Sequence, residues 1–288
     1  MEWLDRINQA VQYLEEHLDG EIQIERMAQI MCCSTYHLQR MFPFLTGLPL
    51  SEYIRRRRLT KAAFDLQHGE EKVIDIALKY GYQSPTAFTR AFTALHGVTP
   101  KDARGQGVTL KSYPRISFQI SIKGEEEMNY KIEEKQAFRL VGVKERVNNT
   151  NGENFKRIPK FWQETMESGK CAKMCAISNG NPSGLMGVCA NAEVCGEQFD
   201  YYIACSTNEP VPEGMEEVMV PACKWVVFTC TGPIPNAMQD VWKRIYTEWF
   251  PNSGYDHAMQ PEIEWYSEGD MSKEDYISEI WVPVVEKK

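Results

Sequence analysis

The sequence has no long apolar run, no basic stretch leading into an apolar one at Met1-Glu2-Trp3-Leu4-Asp5-Arg6, and no low-complexity tract. The first absence argues against a membrane-spanning helix, which needs about 18 or more apolar residues, and the second against export. The third argues that every part folds. A cytoplasmic protein with no membrane partner is the expectation. Missing too are a phosphate-binding glycine loop, a dinucleotide glycine motif and an HExxH helix, the usual marks of nucleotide and zinc enzymes. Histidine is sparse: His17, His37, His68, His96 and His257 are scattered and give a Cys–His catalytic pair little support. The nine cysteines are an odd number, without the spacing of a paired metal site. Cys171 and Cys175 could share a helix face, but two thiols without a nearby histidine define no zinc site. Reduced thiols, no metal, no cofactor and no catalytic residue are expected.

What is present is an ordinary globular composition, 43% hydrophobic and 25% charged over 288 residues, a length that suits two domains with a core each. Taken whole, the net charge of −8 argues against nucleic acid, but its distribution reverses that reading. Residues 1–110 hold 13 basic and 13 acidic groups, leaving 19 basic against 27 acidic for the rest. Within the first part, residues 36–104 carry 11 basic and 6 acidic groups, so a local footprint for phosphates survives.

The first hundred residues contain a repeat. An amphipathic helix with Trp3, Ile7, Val11, Leu14 and Leu18 at helical spacing opens the chain, and Gly20 closes it. Met27-Ala28-Gln29-Ile30-Met31-Cys32-Cys33 then lies over Ile76-Ala77-Leu78-Lys79-Tyr80-Gly81-Tyr82. After one inserted residue, Arg40-Met41-Phe42 lies over Arg90-Ala91-Phe92. Each copy reads as a short helix, a tight turn and a second helix, started by Ser34 in one case and Ser84-Pro85 in the other. That is a helix-turn-helix, twice. Residues 50–67 read as a connecting helix with Tyr53, Ile54, Ala62, Ala63 and Leu66 inward and Arg55 to Arg58 as charge, of which only one or two can face phosphates.

Two recognition helices held side by side would enter major-groove segments about 10 bp apart. The first presents Thr35, Tyr36, Gln39 and Arg40, the second Thr86, Thr89 and Arg90. Gln and Arg suit adenine and guanine edges, and Tyr36 suits a thymine methyl. A plain helical bundle with solvated polar faces is the competing reading, and the repeat weighs against it.

On the run from Ser34 to Phe42, with Gly47, Tyr53-Ile54-Arg55, Ala77 to Tyr82, Phe88 to Phe92 and Pro100, the first part resembles the AraC family of regulators over roughly residues 3–104. The resemblance implies a seven-helix domain with Tyr36, Gln39, Arg40, Thr89 and Arg90 at DNA-contacting positions. Tyr36 stands where related proteins often carry Trp.

Glycine and proline mark residues 107–127 as a linker, in which Phe118, Ile120 and Ile122 alternate as a short strand would. Beyond it, residues 129–147, 185–193, 199–206, 216–231, 261–267 and 276–284 read as strands. Residues 155–168 and 236–249 read as helices. The order strand, helix, strand, strand occurs twice, which predicts an α+β domain of two pseudo-repeated halves with a cleft between them. Glu264 and Tyr266 share a strand face, Glu279 and Trp281 share another, and Trp225 sits on a third strand. Carboxylates among aromatic rings suit a bulky lipophilic cation. The alternative is ordinary core with solvated glutamates, and Trp162, Trp242 and Trp249 on the helices are expected to be core. Pro221 to Trp225, Gly232-Pro233, Pro261 to Glu264 and Ser278 to Pro283 resemble the GyrI-like effector-binding domain. That resemblance implies a small-molecule pocket with an acidic residue, best matched by Glu279.

The expected protein is therefore multidomain. Residues 1–106 form an all-α double helix-turn-helix domain, residues 107–127 a joining segment, and residues 128–288 an α+β effector-binding domain. Its expected partners are double-stranded promoter DNA, a small lipophilic or cationic effector, and RNA polymerase. A hydrolase that uses a pocket glutamate as a base, or a drug-sequestering protein tethered to DNA, is the alternative.

Overall fold

The computed structural model describes residues 3–119, 127–149, 152–191 and 198–287. Helices α1 (Trp3–Glu16), α2 (Ile24–Met31), α3 (Thr35–Thr46), α4 (Leu50–His68), α5 (Val73–Lys79) and α6 (Pro85–His96) come first, then a 3-10 turn at Asp102–Arg104. Six α-helices and one short turn thus stand where the AraC resemblance implied seven helices. The chain divides into two compact units, Met1–Met31 with Leu48–Ile120, and Cys32–Gly47 with Ser121–Lys288. The division cuts the first helix-turn-helix in its turn, so that α2 belongs to the first unit and α3 to the second.

In the first unit α1 buries its predicted stripe, including Ile7, Val11 and Leu14. The arginine run of α4 makes pairs within this unit. Arg55 and Arg56 pair with Glu52 in their own helix, and Arg57 makes a two-pronged pair with the half-buried Glu15 of α1 at 2.8 and 2.7 Å. Arg58 donates to the Leu18 and Gly20 carbonyls at 3.0 and 2.6 Å, satisfying the chain just past the end of α1.

The second helix-turn-helix, α5 and α6, closes over Ile76, Ala77, Phe88, Phe92 and Leu95, packed on Leu59, Ala62 and Leu66 of α4. Its turn needs Gly81, whose φ is 79° and where a Cβ would meet Arg58 Nη1 at 2.6 Å. The repeat puts Cys32 at the matching place, and Cys32 also takes a left-handed φ, 54°. Ser34 and Ser84 cap α3 and α6 through their hydroxyls, accepting from His37 N and Ala87 N. Of the alternating residues expected to make a strand in the linker, Phe118 instead exchanges two hydrogen bonds with the Asn8 side chain, while Ile120 and Ile122 lie outside the described residues.

The rest of the second unit runs β1 (Tyr130–Lys135), β2 (Phe138–Asn148), α7 (Asn154–Glu167), α8 (Lys170–Ile177), β3 (Leu185–Ala190), β4 (Gln198–Ser206), β5 (Glu216–Val220), β6 (Cys223–Thr231) and α9 (Asn236–Arg244). The last of these continues through a π-helical stretch, Ile245–Trp249, into a final turn, Phe250–Asn252. Then come β7 (Tyr255–His257), β8 (Glu262–Tyr266) and β9 (Ile277–Glu286). The predicted strands 129–147 and 216–231 each break in two, at Gln136-Ala137 and Pro221-Ala222, and α8 and β7 had no clear periodic signal in the sequence.

The strands form one antiparallel sheet in the order β1-β6-β9-β8-β3-β4-β2-β5, with β7 added on β9. The first half, β2-α7-β3-β4, and the second, β6-α9-β8-β9, meet where β3 pairs with β8 and Gly187 lies opposite Glu264. The faces are unlike. One buries Val188, Trp225, Val227, Ile263 and Trp281 against one another. Phe138 of β2 and Trp281 of β9 bring their rings to 6.4 Å although three strands separate them, so the sheet curls about this face. The other carries Val141, Cys189, Phe199, Tyr201 and Ile203, covered by Phe161 of α7, Met174 of α8 and Tyr36 of α3.

Candidate functional site

Period-two alternation along β8 puts Glu262, Glu264 and Tyr266 on the helix-covered face, at the seam between the halves. Glu264 accepts from Trp242 Nε1 of α9 at 2.8 Å and from the Tyr266 hydroxyl at 3.1 Å. Trp162 of α7 donates to the Tyr201 hydroxyl at 2.8 Å and stands edge-on to Tyr266. Gly187 makes room for Tyr201, since a Cβ there would lie 2.2 Å from its hydroxyl oxygen. The π-helical stretch lays Tyr246 flat on Trp242 at 5.6 Å. Glu262, 2% exposed, accepts at Oε1 from His257 Nε2 at 3.1 Å. The result is a pair of carboxylates in a frame of indole and phenol rings.

Helix α3 fills that frame. Arg40 reaches Glu264 Oε1 with Nη2 at 3.2 Å, brings Nε to 3.0 Å from Glu262 Oε2, and holds its guanidinium 4.7 Å from the centre of the Trp242 ring. Its Nη1 also donates to Cys189 and to the Tyr36 hydroxyl. His37 stacks on His257 at 3.8 Å and shares Glu262 Oε1 at 3.2 Å. Tyr36 packs on Phe199, and Phe44 on Trp242 and Tyr246. Burial opposes the charge on Glu262, yet Arg40 and the two imidazoles hold its carboxyl well below the usual range. Burial, with His257 alongside, draws His37 down to about 4, against the pull of Glu262. Burial also pushes the Cys189 thiol up to about 11, which keeps it protonated and a poor nucleophile.

The sequence-predicted residues fall in three places. Glu264 and Tyr266 lie together in this frame. Trp225, Glu279 and Trp281 lie on the opposite face, where Trp281 Nε1 donates to Glu279 at 2.7 Å, because residues facing each other across β6, β8 and β9 alternate in step and these three are out of phase with Glu264. The structure therefore does not join the two glutamates in one pocket. On α3, Thr35, Tyr36 and Arg40 were expected to be exposed and are 5–7% exposed, with Gln39 half-buried. On α6, Thr86 and Arg90 are exposed as expected, and Thr89 is half-buried. The difference arises because the polar face of α3 finds carboxylates and rings to pair with.

Trp162 and Trp242, expected as plain core, turn out to line the site through their indole N–H groups. Glu262, His257, Tyr201 and Tyr246 were missed. Glu262 had a legible signal, the Glu-x-Glu-x-Tyr alternation on one strand. Among the described residues His37, His257 and Glu262 are the trio whose donor atoms could hold a metal ion, all within 4.8 Å of one another. An ion there would sit beside the guanidinium already paired with Glu262, which disfavours a second cation.

Residues 27–106 match a helix-turn-helix domain, and residues 128–285 match the GyrI-like small molecule binding domain. The regulatory protein SoxS of Salmonella typhimurium is 39% identical over 98 residues, 34% of this chain and 92% of SoxS. The activator AarP of Providencia stuartii is 40% identical over 94 residues, 33% of this chain and 70% of AarP. The chain belongs to the AraC family of transcription regulators. It is a DNA-binding regulator with a GyrI-like domain for a small molecule. A solved structure of SAV2435 bound to tetraphenylphosphonium is 27% identical, with a TM-score of 0.50, covering 55% of this chain and 94% of that one. In this AraC-family chain no helix among the described residues is long and apolar enough to cross a membrane.

Proposed function

We propose that the small molecule sensed by this regulator is a lipophilic cation, received on the helix-covered face of the sheet at Glu262 and Glu264. DNA is read by Thr35, Tyr36, Gln39 and Arg40 of α3 and by Thr86, Thr89 and Arg90 of α6. One observation carries the effector reading: two carboxylates sit in an aromatic frame that already accepts a cation, with Arg40 in ion-pair distance of both and over the Trp242 ring. A neutral ligand in that place would leave the carboxylates uncompensated, at a cost of several kcal/mol each on the order expected for buried ions. The tetraphenylphosphonium held by SAV2435 is a cation of the expected class.

The test is calorimetric titration of the full chain with tetraphenylphosphonium. Glu264→Gln is expected to weaken binding at least tenfold, and Glu279→Gln, altering the other face, to leave it unchanged. Equal loss in both variants, or loss only in Glu279→Gln, would move the site.

A further inference from the structure

We infer that α3 is a built-in competitor for the effector: the DNA-reading helix is held in the effector site by Arg40 standing in for the cationic ligand, and a bound cation sets it free. The inference rests on the effector reading above and adds the mechanism by which occupancy alters DNA binding.

Three observations support it. First, the two repeated recognition helices are treated differently. Helix α6 presents Thr86 and Arg90 to solvent, as a helix that enters a groove must, whereas α3 turns Tyr36 and Arg40 inward until each is 7% exposed. Second, the contacts of Arg40 are those a cationic ligand would use, carboxylates on two sides and an indole face. A guanidinium paired with Glu262 and Glu264 cannot at the same time pair with a base edge or phosphate, so the two uses of α3 exclude each other. Third, the fit is good without being optimal. Arg40 Nε and Glu262 Oε2 lie 3.0 Å apart, yet both are buried without an aligned hydrogen bond. A cation that offers charge and apolar surface but no N–H groups gives up no hydrogen bond at Glu262, and so competes with the helix there through charge and ring contact.

Exclusion makes the two affinities reciprocal: whatever factor the cation adds to DNA affinity, DNA adds to cation affinity. A ligand that binds only the vacated site reports its affinity divided by the vacant fraction, so emptying the site genetically must tighten ligand binding.

The experiment uses the full chain, a duplex selected by it from a randomised pool, and tetraphenylphosphonium as the probe. Saturating probe is expected to raise DNA affinity in gel-shift titration at least tenfold, and saturating DNA to raise probe affinity by the same factor. Arg40→Ala, which removes the internal competitor, is expected to bind the probe at least fivefold more tightly. Glu264→Gln, which loosens the hold on Arg40, is expected to bind DNA at least fivefold more tightly with no probe present. If the wild-type chain binds the probe while its DNA affinity stays the same, the competitor mechanism is overturned and the effector reading survives. If the probe does not bind, the effector reading fails, and the DNA affinity of Glu264→Gln alone decides: a rise supports the held helix, and no change in a folded protein overturns it. Should Glu264→Gln not fold, Trp242→Phe, which removes the indole donor to Glu264, reads the same equilibrium with the same two outcomes.

Discussion

Acidification should loosen α3 from the strands and helices it packs on within the second unit, through His37, and the size of the effect follows from its surroundings. The imidazole is buried at 3% exposure between Glu262 of β8 and His257 of β7, with Arg40 on its own helix and the rings of Tyr246 and Phe250 beside it. Burial first, and then His257, lower its pKa from 6.5 to about 4. A lowered histidine pKa means that the packed form binds fewer protons than the solvated one between those values. The packed form is therefore at full strength above about pH 6.5 and weakens as the pH falls toward 4. At about pH 5.5 a solvated His37 is some nine-tenths protonated and the packed one almost wholly neutral, a difference on the order of 1 kcal/mol that grows as the pH falls further toward 4. Glu262, held well below its ordinary range, stays ionised between pH 7.5 and 5.5 and adds nothing to this window. Urea unfolding followed by tryptophan fluorescence at both pH values, in the wild type and in His37→Gln, isolates the contribution. The wild type is expected to lose on the order of 1 kcal/mol more than the variant. Identical losses would show that His37 does not titrate against a solvated state and that its packing has been misjudged.

Two further outcomes follow from single contacts. Gly187→Ala puts a Cβ 2.2 Å from the Tyr201 hydroxyl and 3.0 Å from its ring, so the buried ring must move and the Trp162 hydrogen bond with it. A loss of about 1–3 kcal/mol in stability and weaker tetraphenylphosphonium binding are expected in thermal melts and calorimetry, and an unaltered melt would refute the crowding. Arg90→Ala removes an exposed side chain from α6 and is expected to weaken specific DNA binding by about 1–3 kcal/mol in gel-shift titration, while leaving stability and probe binding as they were. An unchanged gel shift would remove Arg90 from the reading face.

Much of this was legible because it is local or repetitive. The offset between Met27–Cys33 and Ile76–Tyr82, the capping serines and the apolar spacing of α1 and α4 fix helices through contacts a few residues apart, which a sequence displays directly. The repeated helix-turn-helix pattern pointed to two of those helices as the expected DNA readers, and the family resemblance implied contact positions on them. Strand alternation likewise put Glu264 and Tyr266 on one face.

The phase between strands was not legible. Whether Glu279 shares a face with Glu264 depends on the register of β8 against β9, where Glu264 pairs with Ile280 and Trp265 with Glu279, and a shift of one residue reverses the answer. The roles of Trp162 and Trp242 were hidden for a related reason: a tryptophan on an amphipathic helix looks like core until the acceptor for its N–H is known, and Tyr201 and Glu264 come from distant strands. The sequence by itself determined that α3 is a helix with Tyr36, Gln39 and Arg40 on a polar face. Only the tertiary structure decided what that face meets. A guanidinium satisfies phosphate, guanine and carboxylate by the same charge and donors, and the choice among them is made by Glu262 and Glu264, more than 200 residues away along the chain.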